Sequence, residues 1–265
     1  MEPEIGQPRG ILNPKAGEKR FQLSRHLPAP DLSFFVEFYW IVSWDLRGQG
    51  PYVQETLPHP CVHLVFEKGQ SRVFGVITGK FSRLLENEGR VFSVKFKPGA
   101  FYPFVKMPVS TFTDTTISLS DAFGGESNAL EEAIFACENE EEMTKIAETF
   151  LRERHPERDE YVAKINQIVD YIIAHPELTR VDELVGSFDL NKRTLQRLFN
   201  QYVGVSPKWV IKRYRLHEVA ERLANGEDVD WASMALDLEY FDQAHFIKDF
   251  KAIVGKTPAE YARNI

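Results

Sequence analysis

Two short signatures limit what this chain can fold into: GVSPK at 204–208 and GKTPA at 255–259. In each, a glycine able to take the left-handed conformation ends a helix, and a hydroxyl residue followed by proline starts the next. A chain carrying both stops and restarts a helix twice in the same manner. Leu195, Leu198, Phe199 and Tyr202 recur at helical spacing before the first signature, as do Phe246, Phe250 and Ile253 before the second. Asn191 and Asp242 are good N-caps for these two helices. A shorter amphipathic segment precedes each. Thr179, with Asp182 three residues on, caps one whose inner face is Val181, Leu184 and Val185. Asp230 caps another with Ala232, Ala235 and Leu236 inward. The pattern is short helix, turn, second helix, made twice.

A long helix from Ser206 to about Asn225, before Gly226, joins the two units, with Leu216, Val219, Ala220 and Leu223 as its buried stripe. Its length of about 19 residues spans on the order of 28 Å. Successive major-groove exposures on one face of DNA are ~34 Å apart, so one chain can offer two helices to adjacent groove segments. Upstream, Ile165, Ile168, Val169, Ile172 and Ile173 form a further helical stripe that His175-Pro176 ends. Downstream, Thr257 and Glu260 make a capping box for a last short helix.

Lys192, Arg193, Gln196, Arg197 and Asn200 lie mostly off the apolar face of the first second-position helix. Such cationic and amide groups bond phosphate oxygens and base edges. The chain as a whole carries a net charge of −7, which argues against uniform coating of nucleic acid. Ser187–Arg222 nevertheless holds eight basic and three acidic residues, a local anion-binding composition on an acidic background.

At 265 residues there is room for two domains, each with its own core. The charged, proline-bearing stretch 155–159 marks the division, giving 1–155 and 160–265. The first part reads as β-rich. Phe38–Leu46, Cys61–Phe66, Val73–Ile77 and Val91–Lys97 are strand-like, and Glu-Asn-Glu-Gly at 86–89 is a turn. Along Val91–Lys97, Phe92, Val94 and Phe96 point one way, Ser93, Lys95 and Lys97 the other. Helices are expected over Ser127–Cys137 and Glu140–Arg154. On the second, Met143, Ile146, Phe150 and Leu151 suit either a core or a dimer contact. The expected fold is multidomain α+β: an antiparallel barrel or sandwich with trailing helices, then an all-α domain.

His59, Cys61 and His63 fall at i, i+2, i+4, so an extended strand would put all three on one face, with Glu55 and Glu67 nearby. Pro58 and Pro60 work against a regular strand there, and a hydrogen-bonding role for His63 is the plainer reading. Nothing marks Cys61 as an activated nucleophile, and the scattered glycines form no phosphate loop. No cofactor and no catalytic role are expected; the metal-dependent enzyme or metal sensor through Glu55, His59 and His63 is the alternative. Two cysteines give no disulfide framework, there is no signal-peptide pattern, and no run reaches ~18 apolar residues. A cytoplasmic setting fits these features.

From about Ile165 to Tyr261 the chain resembles the DNA-binding domain of AraC/XylS-family bacterial transcription regulators. The resemblance lies in RTLQRLF at 193–199, GVSPKWVIKRYRL at 204–216 and FDQAHFIKDFKAIVGKTPAEY at 241–261. ETLPHPCVHLVFE at 55–67 and FKPGAF at 96–101 are similar to an uncharacterised N-terminal domain fused to some members. The resemblance implies a sensing or dimerising, cupin-like β-domain ahead of a DNA reader. It implies base reading by Arg193, Gln196 and Arg197, and by Gln243, His245 and Lys248 in the second unit. Lys192, Lys208, Lys212 and Lys251 would meet phosphates. A small-molecule pocket involving Trp40, Trp44, Glu55 and His63, a homodimer, and RNA polymerase as partner of an activator complete the expectation. Asp189 and Glu239 stand where many members have glycine; aspartate tolerates a left-handed turn, glutamate less so.

Overall fold

The computed structural model describes residues 10–12, 14–125, 128–224, 230–238, 240 and 242–263. The expectations for Asn225, Gly226, Glu239 and Phe241 lie outside those residues. After a short helical turn, α1 (Pro14–Gly17), come β1 (Gln22–His26), β2 (Val36–Asp45), β3 (Tyr52–Thr56), β4 (His63–Glu67), β5 (Arg72–Phe74), β6 (Phe81–Leu85), β7 (Glu88–Phe96) and β8 (Thr116–Ser118). Short helices α2 (Tyr102–Val105) and α3 (Leu119–Phe123) flank β8, and α4 (Asn128–Ala136) and α5 (Glu140–Arg152) follow.

Six strands form one antiparallel sheet in the order β1-β2-β7-β4-β5-β8, and β3 pairs with β6 in a second, two-stranded sheet. Of the barrel and the sandwich, the sandwich is what forms. The chain passes from the small sheet to the large one at Glu86-Asn87, where Asn87 sits at φ 54. Asparagine is one of the few residues that tolerates that region.

One face of the large sheet carries Tyr39, Ile41, Leu64, Phe66, Phe92, Val94 and Phe96, all at most 1% exposed. Met143, Ala147 and Leu151 of α5 join this cluster. Each such side chain contributes roughly 1.5–3 kcal/mol by leaving water. The α5 stripe is therefore taken up by the chain's own core, with Ile146 and Phe150 packed at its edge, and offers no free apolar face for a dimer. Asn139 caps α5 by accepting from the Glu142 N–H at 2.9 Å, and three glutamates in the first turn suit the helix dipole.

The second half is helical: α6 (Glu160–Ala174), α7 (Val181–Phe188), α8 (Lys192–Leu198), α9 (Pro207–Ala224), α10 (Trp231–Asp237), α11 (Gln243–Val254) and α12 (Pro258–Arg263). Its core is not its own alone. Phe35, Val76 and Ala100 of the first half belong to the cluster formed by α6, α7, α8 and the start of α9. Leu12 and Leu57 belong to the cluster of α9, α10, α11 and α12. Arg213 of α9 is fully buried, and its Nη2 donates to the carbonyls of Ile77, Thr78 and Gly79 at 3.3, 2.5 and 3.1 Å. Burial lowers its pKa to about 10.

Candidate nucleic-acid interface and ligand cavity

Asn191 caps α8 by accepting from the Thr194 N–H at 2.8 Å. Leu195 and Leu198 anchor the helix in the core. Arg193, Gln196 and Arg197 are left exposed on its outer side. The helix widens after Leu198 into a turn over Phe199–Val203, where the Gly204 N–H reaches back to the Phe199 carbonyl at 2.8 Å. Gly204 sits at φ +94, and a Cβ there would stand 2.8 Å from Thr113 Oγ1 and 2.9 Å from Val109 Cγ1. The preceding turn rests on Asp189, which takes the left-handed conformation at φ 49, ψ 47.

The second unit repeats this. Asp242 accepts from the His245 N–H at 2.7 Å, Phe246 and Phe250 are fully buried, and Gln243, His245 and Lys248 are exposed. Gly255 ends α11 at φ 83, and Thr257 and Glu260 form the expected capping box. Ser206 caps α9 through the Trp209 N–H at 3.1 Å.

Several details differ from the sequence reading. At α7 the capping position moves one residue: Glu183, not Asp182, reaches back to the Arg180 N–H at 3.0 Å, and Asp182 instead holds Lys192 at 3.0 Å. On α10 the inward residues are Met234 and Ala235, while Leu236 is 71% exposed. Lys212 is paired with Asp249 of α11 and lies 5.5 Å from the Tyr240 ring, so it braces the linking helix to the second reader instead of standing ready for phosphate. Lys208 and Lys251 are exposed. The basic stretch is thus less basic on the surface than in composition. Arg213 and Arg215 are buried, Arg215 donating to the Ile172 carbonyl and pairing with Glu218 at 3.1 Å.

Between the two sheets lies a cavity of about 800 Å³. Trp40 and Trp44 of β2 and His63 of β4 line it, as expected; Glu55 does not. Strand alternation turns Gln54 and Thr56 of β3 inward and Glu55 away, where it pairs with Lys80. The cavity also explains Lys95. Both faces of β7 are buried, and Lys95, only 6% exposed, pairs with Glu37 at 3.0 Å and lies 4.8 Å from the Phe38 ring. Alternation alone suggests a solvent face there.

The Trp40 indole N–H donates to His63 Nδ1 at 3.2 Å. Burial, with Lys95 nearby, pushes the His63 pKa down to about 3. Burial also pushes the Cys61 thiol up to about 12, far from a reactive thiolate. His59 lines the cavity but packs edge-on against His217 of α9, ring centroids 4.6 Å apart. Among the described residues no three of His, Cys, Asp and Glu are grouped to hold a metal ion, so His59, Cys61 and His63 share a wall without forming a ligand set. No helix of the described residues is long and apolar enough to cross a membrane.

Residues 184–264 match the family described as "Helix-turn-helix domain", and residues 24–118 the family "Domain of unknown function (DUF6597)". A stretch of 103 residues is 25% identical to an uncharacterized HTH-type transcriptional regulator of Haemophilus influenzae, covering 38% of this chain and 34% of that protein. The chain therefore spans about a third of the length of that curated relative. Among solved structures, ToxT from Vibrio cholerae aligns over 92% of this chain and 98% of its own, with 12% identity and a TM-score of 0.38. ToxT bound to an unsaturated fatty acid aligns over 96% and 92%, with 11% identity and a TM-score of 0.37. A structural likeness at such scores carries no argument about function. The two helix-turn-helix units and the sequence matches agree: this chain carries an AraC-type helix-turn-helix domain at its C-terminus, behind a DUF6597 domain.

Proposed function

We propose that the chain is a sequence-specific DNA-binding transcription regulator, controlled by a small molecule held in the N-terminal cavity. One observation carries the DNA-reading part. Two capped helices, α8 and α11, each rooted by buried apolar residues, leave Arg193, Gln196 and Arg197, and Gln243, His245 and Lys248, exposed. Arginine bonds guanine bidentately and glutamine does the same with adenine. Lys208 and Lys251 suit phosphate contacts that position the protein without reading sequence, and Lys192 joins them by exchanging its exposed pair with Asp182 for a phosphate. The 18 residues of α9 separate the readers by about 27 Å along its axis, close to one turn of DNA.

Effector control rests on the cavity, whose wall includes Leu57 and His59, residues that also pack against the helical half. The working division is 1–155 for sensing and 160–265 for reading. A cytoplasmic, homodimeric protein that recruits RNA polymerase when it activates completes the reading. No specific observation favours the metal-dependent enzyme or metal sensor.

Selection of bound duplexes from a random pool, with and without candidate small molecules, tests the proposal. A consensus with two half-elements about one helical turn apart is the expected result. Failure to enrich any sequence overturns it.

A further inference from the structure

We propose that the cavity takes a flat, largely apolar molecule carrying a hydrogen-bond acceptor, and that His63 Nε2–H meets that acceptor. The inference rests on the reading of this cavity as a ligand site and adds the chemistry of the occupant.

The shape of the wall comes first. Phe38, Trp40 and Trp44 of β2 present rings from the large sheet and Phe81 from the small one, and Phe74 stands edge-on to Phe81 at 6.1 Å where the sheets meet. A volume of about 800 Å³ is within the range of small-molecule sites, and flat rings on opposite sheets favour a flat guest.

The charges come second. The ionic groups of the wall are three cations, Arg25, Arg83 and Lys95, and two carboxylates, Glu37 and Glu67. Glu37 pairs with Lys95 at 3.0 Å and Glu67 with Arg83, while Arg25 lies over the Phe38 ring at 5.4 Å. A cationic guest would add to that excess of positive charge.

His63, in the same wall, is a neutral polar group. Because Nδ1 of His63 accepts from Trp40, the proton of the neutral ring is on Nε2. That N–H finds no acceptor among the described residues, in a side chain that lines the cavity. The low basicity of the ring keeps it a single donor rather than a cation at neutral pH. A carbonyl, ether or ring-nitrogen acceptor completes it, whereas an ammonium group or a second N–H donor does not.

Equilibrium dialysis of the full chain at pH 7.5 against 9-fluorenone and fluorene tests this directly. The two differ by the carbonyl acceptor. Fluorenone is expected to bind roughly fivefold tighter than fluorene, the worth of one hydrogen bond. His63→Phe should abolish the preference for fluorenone over fluorene. His63→Gln, which keeps an N–H donor, should retain it and guards against a loss caused by misfolding. Equal binding of fluorenone and fluorene, or binding of neither, overturns the proposal. The DNA selection is read without any of these compounds. Loss of the regulator reading leaves the dialysis result standing, and the reverse also holds.

Discussion

Arg193, Gln196 and Lys208 are all exposed and polar, yet they should fail differently when truncated. Arg193→Ala or Gln196→Ala is expected to relax preference at a single base position and cost roughly 1–3 kcal/mol on the selected site. Lys208→Ala should weaken all sequences alike and lower the salt dependence by about one phosphate. Binding titrations on the selected site, its single-base variants and random duplex at several salt concentrations separate the two. His63 gives a pH prediction. The folded chain protonates it only near pH 3, the unfolded chain near 6.5. Between those values the unfolded chain holds more protons, so its contribution is complete above about pH 6.5 and is lost as pH falls, by at most about 1.4 kcal/mol per pH unit. Urea midpoints at pH 7 and pH 5 should drop further for the wild type than for His63→Gln. These outward side chains were legible in the sequence because helical periodicity separates them from the stripe. The roles of Lys212, Arg213 and Arg215 were not, since a count of charges cannot distinguish a side chain facing solvent from one buried against a distant segment.

At the scale of elements, caps and stops were the most readable features. Asn191, Ser206, Asp230, Asp242 and the Thr257–Glu260 box all cap as their spacing predicts. Such signals are local, depending on a side chain meeting a backbone N–H two or three residues away. The strands were less readable. β1 and β3 carry no strong alternation, and β3 and β6 form a separate small sheet that local pattern gives no reason to expect. Glu55 was misplaced for that reason, through a register that only its pairing with Ser82 defines. Gly204 offers a sharper element-level test. Gly204→Ala must adopt φ near +94 while its Cβ crowds Thr113 and Val109. A loss of about 1 kcal/mol or more is expected in chemical unfolding, against a gain of roughly 0.5–1 kcal/mol for Gly186→Ala, which lies within α7 and whose added Cβ meets nothing within 4 Å.

On the scale of the whole molecule, the two halves that composition and the break at 155–159 separate are joined by shared cores. Asn200 and Ser110, Gln201 and Tyr102, and Gly204 and Thr113 form hydrogen bonds across the same boundary, at 2.9, 2.6 and 2.8 Å. Arg213→Ala would leave the carbonyls of residues 77–79 without their donor. A cost of roughly 1–3 kcal/mol is expected, with amide exchange accelerated along α9 more than along α5. An unchanged unfolding midpoint and unchanged exchange would count against Arg213 as a clasp.

The cup of three carbonyls around Arg213 also bears on how freely such proteins can exchange parts. A chimera spliced at 156–159 brings together a guanidinium and a cup with separate origins. If the incoming helix lacks an arginine at that turn, the loop at 77–79 presents three bare oxygens to an apolar surface. If the incoming loop differs, a buried cation is stranded on α9, between the two helix-turn-helix units. Recombination is therefore easiest when the loop travels with the helical half, and the practical unit of exchange in this chain is discontinuous in sequence.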